Sequence, residues 1–335
     1  MRDSLVSILT PFKNSAIYLE ECLDSIIAQS YQNWELIMVN DHSSDHGAQI
    51  ARAYSEADPR IQVFQNDESG IIPALRLAFR KSKGQFLTRM DSDDIMMPDK
   101  LKLMTEQLTQ NGRGHLALGL VKYFSEYGIS DGYQKYEKWL NLLTLAGDNY
   151  SEIYKECVIP SPCWMAYRDD FIKCGGFEPD RYPEDYDLTF RFYENNLKCL
   201  PSSKLLHQWR DYPERTSRNH IHYAQNYFLE IKTHYFLKLN YDRSRPLTIW
   251  GAGFKGKKVA SLLLENQVPF HWICDNPKKI GKSIYDQPML PFEALDQLNN
   301  PQSIITVANS KAQEEIRRHL NKLKMKSMID YFFFC

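Results

Sequence analysis

From the start to about residue 110, short apolar runs alternate with stretches whose apolar positions recur every three or four residues. Leu5–Leu9, Trp34–Val39, Ile61–Phe64 and Phe86–Met90 read as strands. Ala16–Gln29 places Leu19, Cys22, Leu23, Ile26 and Ile27 on one face of a helix, and Ala48–Glu56 and Pro73–Lys81 read as two more. This βαβαβαβ order predicts an α/β domain with a mostly parallel central sheet and helices on both faces. The pattern weakens afterwards. Leu116–Phe124 reads as one strand, Ser125–Tyr133 as a loop, and Ser161–Arg168 as a strand. Asp169–Cys174 reads as a short helix stopped by Gly175-Gly176, and another helix opens near Glu184. Tyr133, Tyr136 and Trp139 either line an acceptor pocket or simply pack. Residues 205–219 read as a Pro-broken loop rich in Arg, and His222–Leu239 as a long aromatic helix that ends the first domain.

A polar linker, residues 241–246, then separates domain 1–240 from a smaller Rossmann-like α/β unit, 247–335. Leu247–Trp250 is its first strand, and Gly251-Ala252-Gly253-Phe254-Lys255-Gly256 turns the chain into a helix ending near Glu265. Phe270–Cys274 follows as a strand closed by Asp275, which completes a dinucleotide-type fingerprint. Ile304–Ala308 and a last helix, Lys311–Lys322, finish the unit. The glycines either approach a ligand or pack strand against helix.

Composition narrows the function classes. With 335 residues, 25% charged and a formal net charge of −1, nothing points to nucleic acid. Seven scattered Cys with no C-x-x-C argue against a disulfide framework or zinc site, and for reduced thiols in a cytoplasmic setting. No run reaches the roughly 20 apolar residues of a membrane span, so the expectation is a chain in the cytoplasm, at most held peripherally to a membrane's inner face. Oligomeric state is not legible.

The chemistry concentrates where the fourth strand ends, in Met90-Asp91-Ser92-Asp93-Asp94. Acids cannot sit unpaired inside a buried strand, so they belong at its carboxyl edge, where open α/β sheets bind ligands. Three carboxylates in four residues repel one another unless a cation compensates, and a divalent metal sharing phosphate oxygens is the economical reading. The plainer alternative makes Asp94 a helix cap and the others solvated. Asp41, after the second strand, is placed to grip a base or ribose, although Ser44 and Asp45 there could be N-caps. Glu184 and Asp185 open a helix, where acids are common for dipole reasons but where a general base could also stand. His207, Arg210 and Arg215 lie in the segment that could close over a diphosphate.

Taken together, Val6-Ser7-Ile8-Leu9-Thr10-Pro11-Phe12-Lys13-Asn14, Gln29-Ser30-Tyr31, Val39-Asn40-Asp41, Met90-Asp91-Ser92-Asp93-Asp94, Gly175-Gly176-Phe177 and Glu184-Asp185-Tyr186-Asp187-Leu188 resemble a family-2 glycosyltransferase of the GT-A, nucleotide-diphosphosugar transferase fold. The resemblance covers about two thirds of the chain. It implies that Asp41 holds the base, typically uracil, with Thr10, Pro11 and Phe12 walling it and Asn14 and Ser92 in the same donor-binding set. It implies Asp93 as the Mn²⁺ or Mg²⁺ ligand, Asp91 on the ribose or the metal, and Asp185, with Glu184 beside it, as acceptor base. The implied activity is inverting, metal-dependent transfer from a UDP-sugar to a glycan or lipid-linked acceptor, as in bacterial surface polysaccharide synthesis. Relatives often carry Arg-x-His where Arg210-Asp211-Tyr212 stands, which leaves His207 or Asp211 as candidate extra ligand. The C-terminal unit loosely resembles the nucleotide-binding module that begins some sugar acetyltransferases. Competing readings are a non-catalytic nucleotide-sugar binder, an oxidoreductase run by the Gly251 turn, and a D-x-D phosphatase, whose acids would follow the first strand instead.

Overall fold

The structure, a computed structural model, describes residues 4–215 and 228–335. Within them the chain forms two compact units, 4–150 with 158–215, and 151–157 with 228–335.

In the first unit the expected elements appear as β1 (Val6–Phe12), α1 (Ala16–Ile27), β2 (Trp34–Asn40), α2 (Gly47–Ala57), β3 (Ile61–Gln65), α3 (Ile71–Lys81) and β4 (Phe86–Arg89). β5 (Ile95–Met96) and α4 (Lys100–Asn111) follow. Next come β6 (His115–Leu118), β7 (Leu120–Phe124), α5 (Asp131–Ala146), β8 (Trp164–Tyr167), α6 (Arg168–Lys173), α7 (Glu184–Glu194), β9 (Lys198–Leu200) and β10 (Leu205–Arg210). The main sheet has the order β3-β2-β1-β4-β8-β6-β9. Its β3-β2-β1-β4 half is parallel, and β8 runs antiparallel to both β4 and β6. β1 is buried along its whole length, and the predicted face of α1 (Leu19, Cys22, Leu23, Ile26) is buried with it. Entry into β4 needs glycine: a Cβ on Gly84 would lie 2.6 Å from the Ser7 nitrogen.

Three expectations change. Leu116–Phe124 is two strands: β6 stays in the main sheet, while β7 joins a second sheet of order β5-β10-β7. Gly119 sits at the break, where a Cβ would lie 2.5 Å from Leu206 Cβ. Residues 205–210 are strand, not loop, because the polar members that suggested a loop find partners inside it. Helix α5 starts at Asp131, capped by Ser130, within the stretch expected to be loop. Its aromatics pack: Tyr123 stacks on Trp209 at 5.0 Å and meets Tyr133 at 5.0 Å, and Tyr136 also faces Trp209.

In the second unit α8 (Leu229–Leu239) replaces part of the expected 222–239 helix, whose residues 222–227 lie outside the described ones. The boundary expected at residue 240 therefore falls inside this unit. Tyr154 stacks on Phe334 at 5.3 Å and meets Phe236 and Phe332 edge-on. No local pattern ties those four rings together. The sheet of this unit joins β11 (Leu247–Trp250), β12 (His271–Ile273), β13 (Ser283–Ile284), β14 (Gln287–Leu290), β15 (Gln302–Ile305) and β16 (Tyr331–Phe333). Its order is β13-β14-β12-β11-β15-β16, parallel except for β13. Helices α9 (Phe254–Glu265) and α10 (Ser310–Lys322) complete it.

The glycine turn between β11 and α9 divides by role. A Cβ on Gly256 would lie 2.0 Å from the Gly251 carbonyl oxygen, whereas one on Gly253 meets nothing within 4 Å. Gly256→Ala should therefore lower Tm by several degrees or prevent folding, and Gly253→Ala should leave it within about 2 °C. Equal melting of the two variants by circular dichroism would contradict this packing.

Candidate active site

The acidic turn leaves β4 at the carboxyl edge of the sheet, and its four residues have different surroundings. Asp94 is fully buried; its Oδ1 accepts from the Arg210 amide at 2.8 Å and its Oδ2 from His207 Nε2 at 2.9 Å. Behind His207, Lys100 Nζ lies 3.5 Å from Nδ1 and donates to the Pro162 carbonyl. Burial first, then Lys100, holds the imidazole well below its ordinary pKa, so it is neutral. Asp94 is thus neither a solvated helix cap nor a free ligand. It clamps the turn to β10. His207 is corrected in the same way: both ring nitrogens are engaged and the side chain has no exposure, so it is not available as a metal ligand.

Asp93 and Asp91 keep partial exposure. Asp93 Oδ2 accepts from the Tyr212 hydroxyl at 2.8 Å. Burial, and next the Asp94 charge, pushes its pKa up to about 7, with Arg215 pulling against them. Asp91 Oδ1 accepts from Arg89 Nε at 2.8 Å. Arg89 also gives Nη1 to Glu184 Oε1 at 2.9 Å, so one buried guanidinium joins the acidic turn to the start of α7. Burial would favour the neutral form of Arg89, but Asp91, Glu184 and Asp185 more than offset it and raise its pKa. Beside them Asp185 is pushed up to about 7 by burial and then by Glu184, against the pull of Arg89. Glu184 Oε2 is buried with no hydrogen-bond partner among the described residues. The Tyr182 phenol is raised by burial and then by the Glu184 charge, with Asp185 and Asp41 adding to it and Arg89 opposing.

Asp41 closes the third side, 6% exposed, with its Oδ1 held by Asn66 and the Gly70 amide. The neighbouring strand end is less open than expected. Phe12 is 2% exposed and packs in the hydrophobic core, so it does not present a stacking face; Pro11 is buried in β1. Thr10 Oγ1 is buried without a partner. Asn14 ties two loops, its Oδ1 accepting from the Ser44 amide at 2.8 Å. Ser92 is buried in the acidic turn. Asp45 accepts from the Ala16 and Gly47 amides, but the N-cap position of α2 falls on His46 and not on Ser44 or Asp45.

The arginines expected over a diphosphate are both buried. Arg210 lies between Tyr18 and Phe124, at 4.5 and 4.4 Å from their ring centroids, donates to the Asp93 carbonyl and pairs with Glu21. Arg215 packs 5.2 Å from the Trp209 ring centroid, and its charge serves Tyr123 and the three acids of the turn. Residue-by-residue reading missed Arg89, Tyr212, Asn66 and Tyr182. Only Arg89 carried a signal, a lone cation inside an apolar run beside acids, which burial permits only when it is paired.

Asp91 and Asp93 supply hard oxygen donors in a site strained by its own negative charge, which suits Mg²⁺ or Mn²⁺. Among the described residues no group of three or more His, Cys, Asp or Glu could hold a metal by itself. The donor set therefore fits an ion that shares its shell with phosphate oxygens and water. No helix among the described residues is long and apolar enough to cross a membrane.

The family model described as "Glycosyl transferase family 2" matches residues 7–176, just over half of the 335. Glycosyltransferase GlyA of Streptococcus pneumoniae is 26% identical over 216 residues, 62% of this chain and 31% of that protein. Glycosyltransferase GlyG of the same organism is 33% identical over 129 residues, 38% of this chain and 42% of that protein. The matches thus span less than half of either relative. Among solved structures, S. aureus TarS 1-349 in complex with UDP-GlcNAc has TM-score 0.54 at 18% identity, covering 78% of this chain and 72% of that one. The mannosyltransferase PcManGT from Pyrobaculum calidifontis, in complex with GDP-Man and Mn²⁺, has TM-score 0.50 at 18% identity, covering 70% and 63%. Both likenesses concern the fold.

The raised acids fix a sign. Asp93, Asp94 and Asp185 titrate higher in the folded protein than the roughly 4 of an unfolded carboxylate, so the fold binds more protons than the unfolded chain. Their contribution is complete below the unfolded pKa and is lost as pH rises through about 7. Metal-free Asp93→Asn should therefore melt higher than wild type at about pH 8 and little differently at about pH 5. Differential scanning fluorimetry checks this; equal melting at both pH values removes the charge cluster.

Proposed function

The chain belongs to glycosyl transferase family 2, and from that membership we propose an inverting, metal-dependent transfer of a sugar from a nucleotide-diphosphosugar, with a UDP-sugar first in order, to a hydroxyl of a glycan or lipid-linked acceptor. The observation that supports it is the bridge Asp91–Arg89–Glu184, which ties the acidic turn to the helix start that carries Asp185, whose carboxyl is raised by burial. A general base for a neutral hydroxyl is most effective with a pKa near the working pH, and burial puts Asp185 there.

In the proposed reaction Asp41 holds the base of the donor, and the acidic turn receives its diphosphate. Asp93, with Asp91, would hold Mn²⁺ or Mg²⁺, which when bound neutralises charge on the departing diphosphate. Neighbours of this fold have been seen with UDP-GlcNAc and with GDP-Man and Mn²⁺, which supports a nucleotide-sugar donor and a divalent ion. Asp185 takes the acceptor hydroxyl's proton as the oxygen attacks the anomeric carbon, and a single displacement inverts that centre. Arg89 tethers Glu184, so the residue beside the base is neither displaced toward the metal acids nor left without a cation. Surface polysaccharide synthesis at the inner face of a bacterial membrane, with the chain bound peripherally, is the setting that suits this acceptor class.

Asp185→Asn should keep UDP affinity within about threefold while lowering turnover roughly 10³-fold, because only the proton acceptor is lost. In wild type, kcat should rise with pH through about 7, as the raised carboxyl loses its proton, and level off above. Steady-state kinetics with a UDP-sugar panel and Mn²⁺ reads both. Near-wild-type turnover of Asp185→Asn would end its assignment as base.

A further inference from the structure

Asp41 has one carboxylate oxygen already committed. Its Oδ1 accepts from Asn66 Nδ2 at 2.8 Å and from the Gly70 amide at 2.9 Å. An oxygen with two acceptor positions is filled by two donors. Neither donor is free to leave. Asn66 is 3% exposed, its amide donates to the Asn40 carbonyl at 3.0 Å, and its Nδ2 also lies 3.3 Å from the Gly70 carbonyl. Gly70 presents its N–H from φ +118, backbone that L side chains rarely adopt. Only Oδ2 remains, and its described partner is Lys13 Nζ at 3.5 Å, on a side chain that is half exposed.

Nucleobases differ in what they offer to such a site. Uracil presents one ring N–H between two carbonyls, so a single acceptor beside a single donor complements it: Oδ2 takes N3–H, and the Lys13 ammonium meets a flanking carbonyl. Guanine presents two adjacent donors, N1–H and N2–H₂, which need both oxygens of a carboxylate. Here the second donor meets a filled Oδ1 and is left unpaired as it is buried, which is the costly case.

We propose that Asn66 is the specificity-determining residue of the base site: by filling Asp41 Oδ1 it restricts the donor to uracil, or thymine with the same edge, and rejects guanine. This deepens the donor-site reading above and rests on it.

Isothermal titration of UDP and GDP with Mg²⁺ tests both levels separately. Wild type should bind UDP at least about 10-fold tighter than GDP, the size expected for one unpaired buried donor. Asn66→Ala should bring the two nucleotides within about threefold, with GDP binding gained as well as UDP binding weakened, since Oδ1 then has room for a second base N–H. Asn66→Ser, whose shorter hydroxyl falls short of Oδ1, serves if the alanine variant does not fold. A wild-type ratio near one or favouring GDP overturns the proposal, and so does a folded Asn66 variant that keeps the wild-type ratio. If UDP binding also survives Asp41→Asn unchanged, the donor-site reading itself falls. Loss of UDP binding in Asp41→Asn with an unmoved Asn66 ratio removes only the role of Asn66.

Discussion

Clustered negative charge taken out of water is the constraint on which the crevice depends. Asp91, Asp93 and Asp94 stand within four residues, Glu184 and Asp185 open the helix opposite, and all are at least partly buried. Carboxylates in that condition either take up protons or collect cations. The fold does both. Arg89 and Arg215 are held charged by the acids, and Asp93 and Asp185 retain protons up to about 7. Each compensating group is also a tether, so balancing the charge and fixing the geometry are done by the same contacts.

The small sheet β5-β10-β7 is the mechanical side of this arrangement. β10 delivers His207 and the Arg210 amide to the two oxygens of Asp94, and pairs with β5 directly after the turn. Asp94 is clamped from both sides, whereas Asp93 is half-buried with only the Tyr212 hydroxyl described on its carboxylate. Two adjacent aspartates that look interchangeable in the chain therefore divide the work: one is structural anchor, the other ligand candidate.

Much of this was legible before coordinates, and what was not has a common cause. The strand and helix periods from Val6 to Lys81 are strong because each element buries one side along its own length. Asp41, Asp93 and Asp185 stood out as candidates because acids gather at three strand and helix ends, although each taken alone has a plain explanation as a cap or a dipole partner. The failures involve pairing across long separations. Arg210 and His207 looked like loop chemistry because their partners, Asp93 and Asp94, lie over a hundred residues away. Asn66 drew no reading at all, since nothing in its neighbourhood announces that it donates to Asp41. The 151–157 segment was assigned to the wrong unit because Tyr154 finds its aromatic partners at 236, 332 and 334.

In the proposed reaction the case for a metal rests as much on the arginines being spent as on the acids being clustered. A departing diphosphate carries charge that must be met in a crevice already crowded with carboxylates. Arg210 is wedged between two rings and paired with Glu21, Arg215 serves the turn from beneath Trp209, and Arg89 spans Asp91 and Glu184. Moving Arg89 onto a phosphate would strip the buried Glu184 carboxylate of its partner, a loss of about 3–5 kcal/mol for a buried pair. A hard divalent ion has no such prior commitment: it gains from the carboxylates and the phosphates together. The arginines that a reading of the chain assigns to the diphosphate are, in the folded protein, spent on its own acids and rings, and in the proposed reaction that leaves the diphosphate charge to a metal.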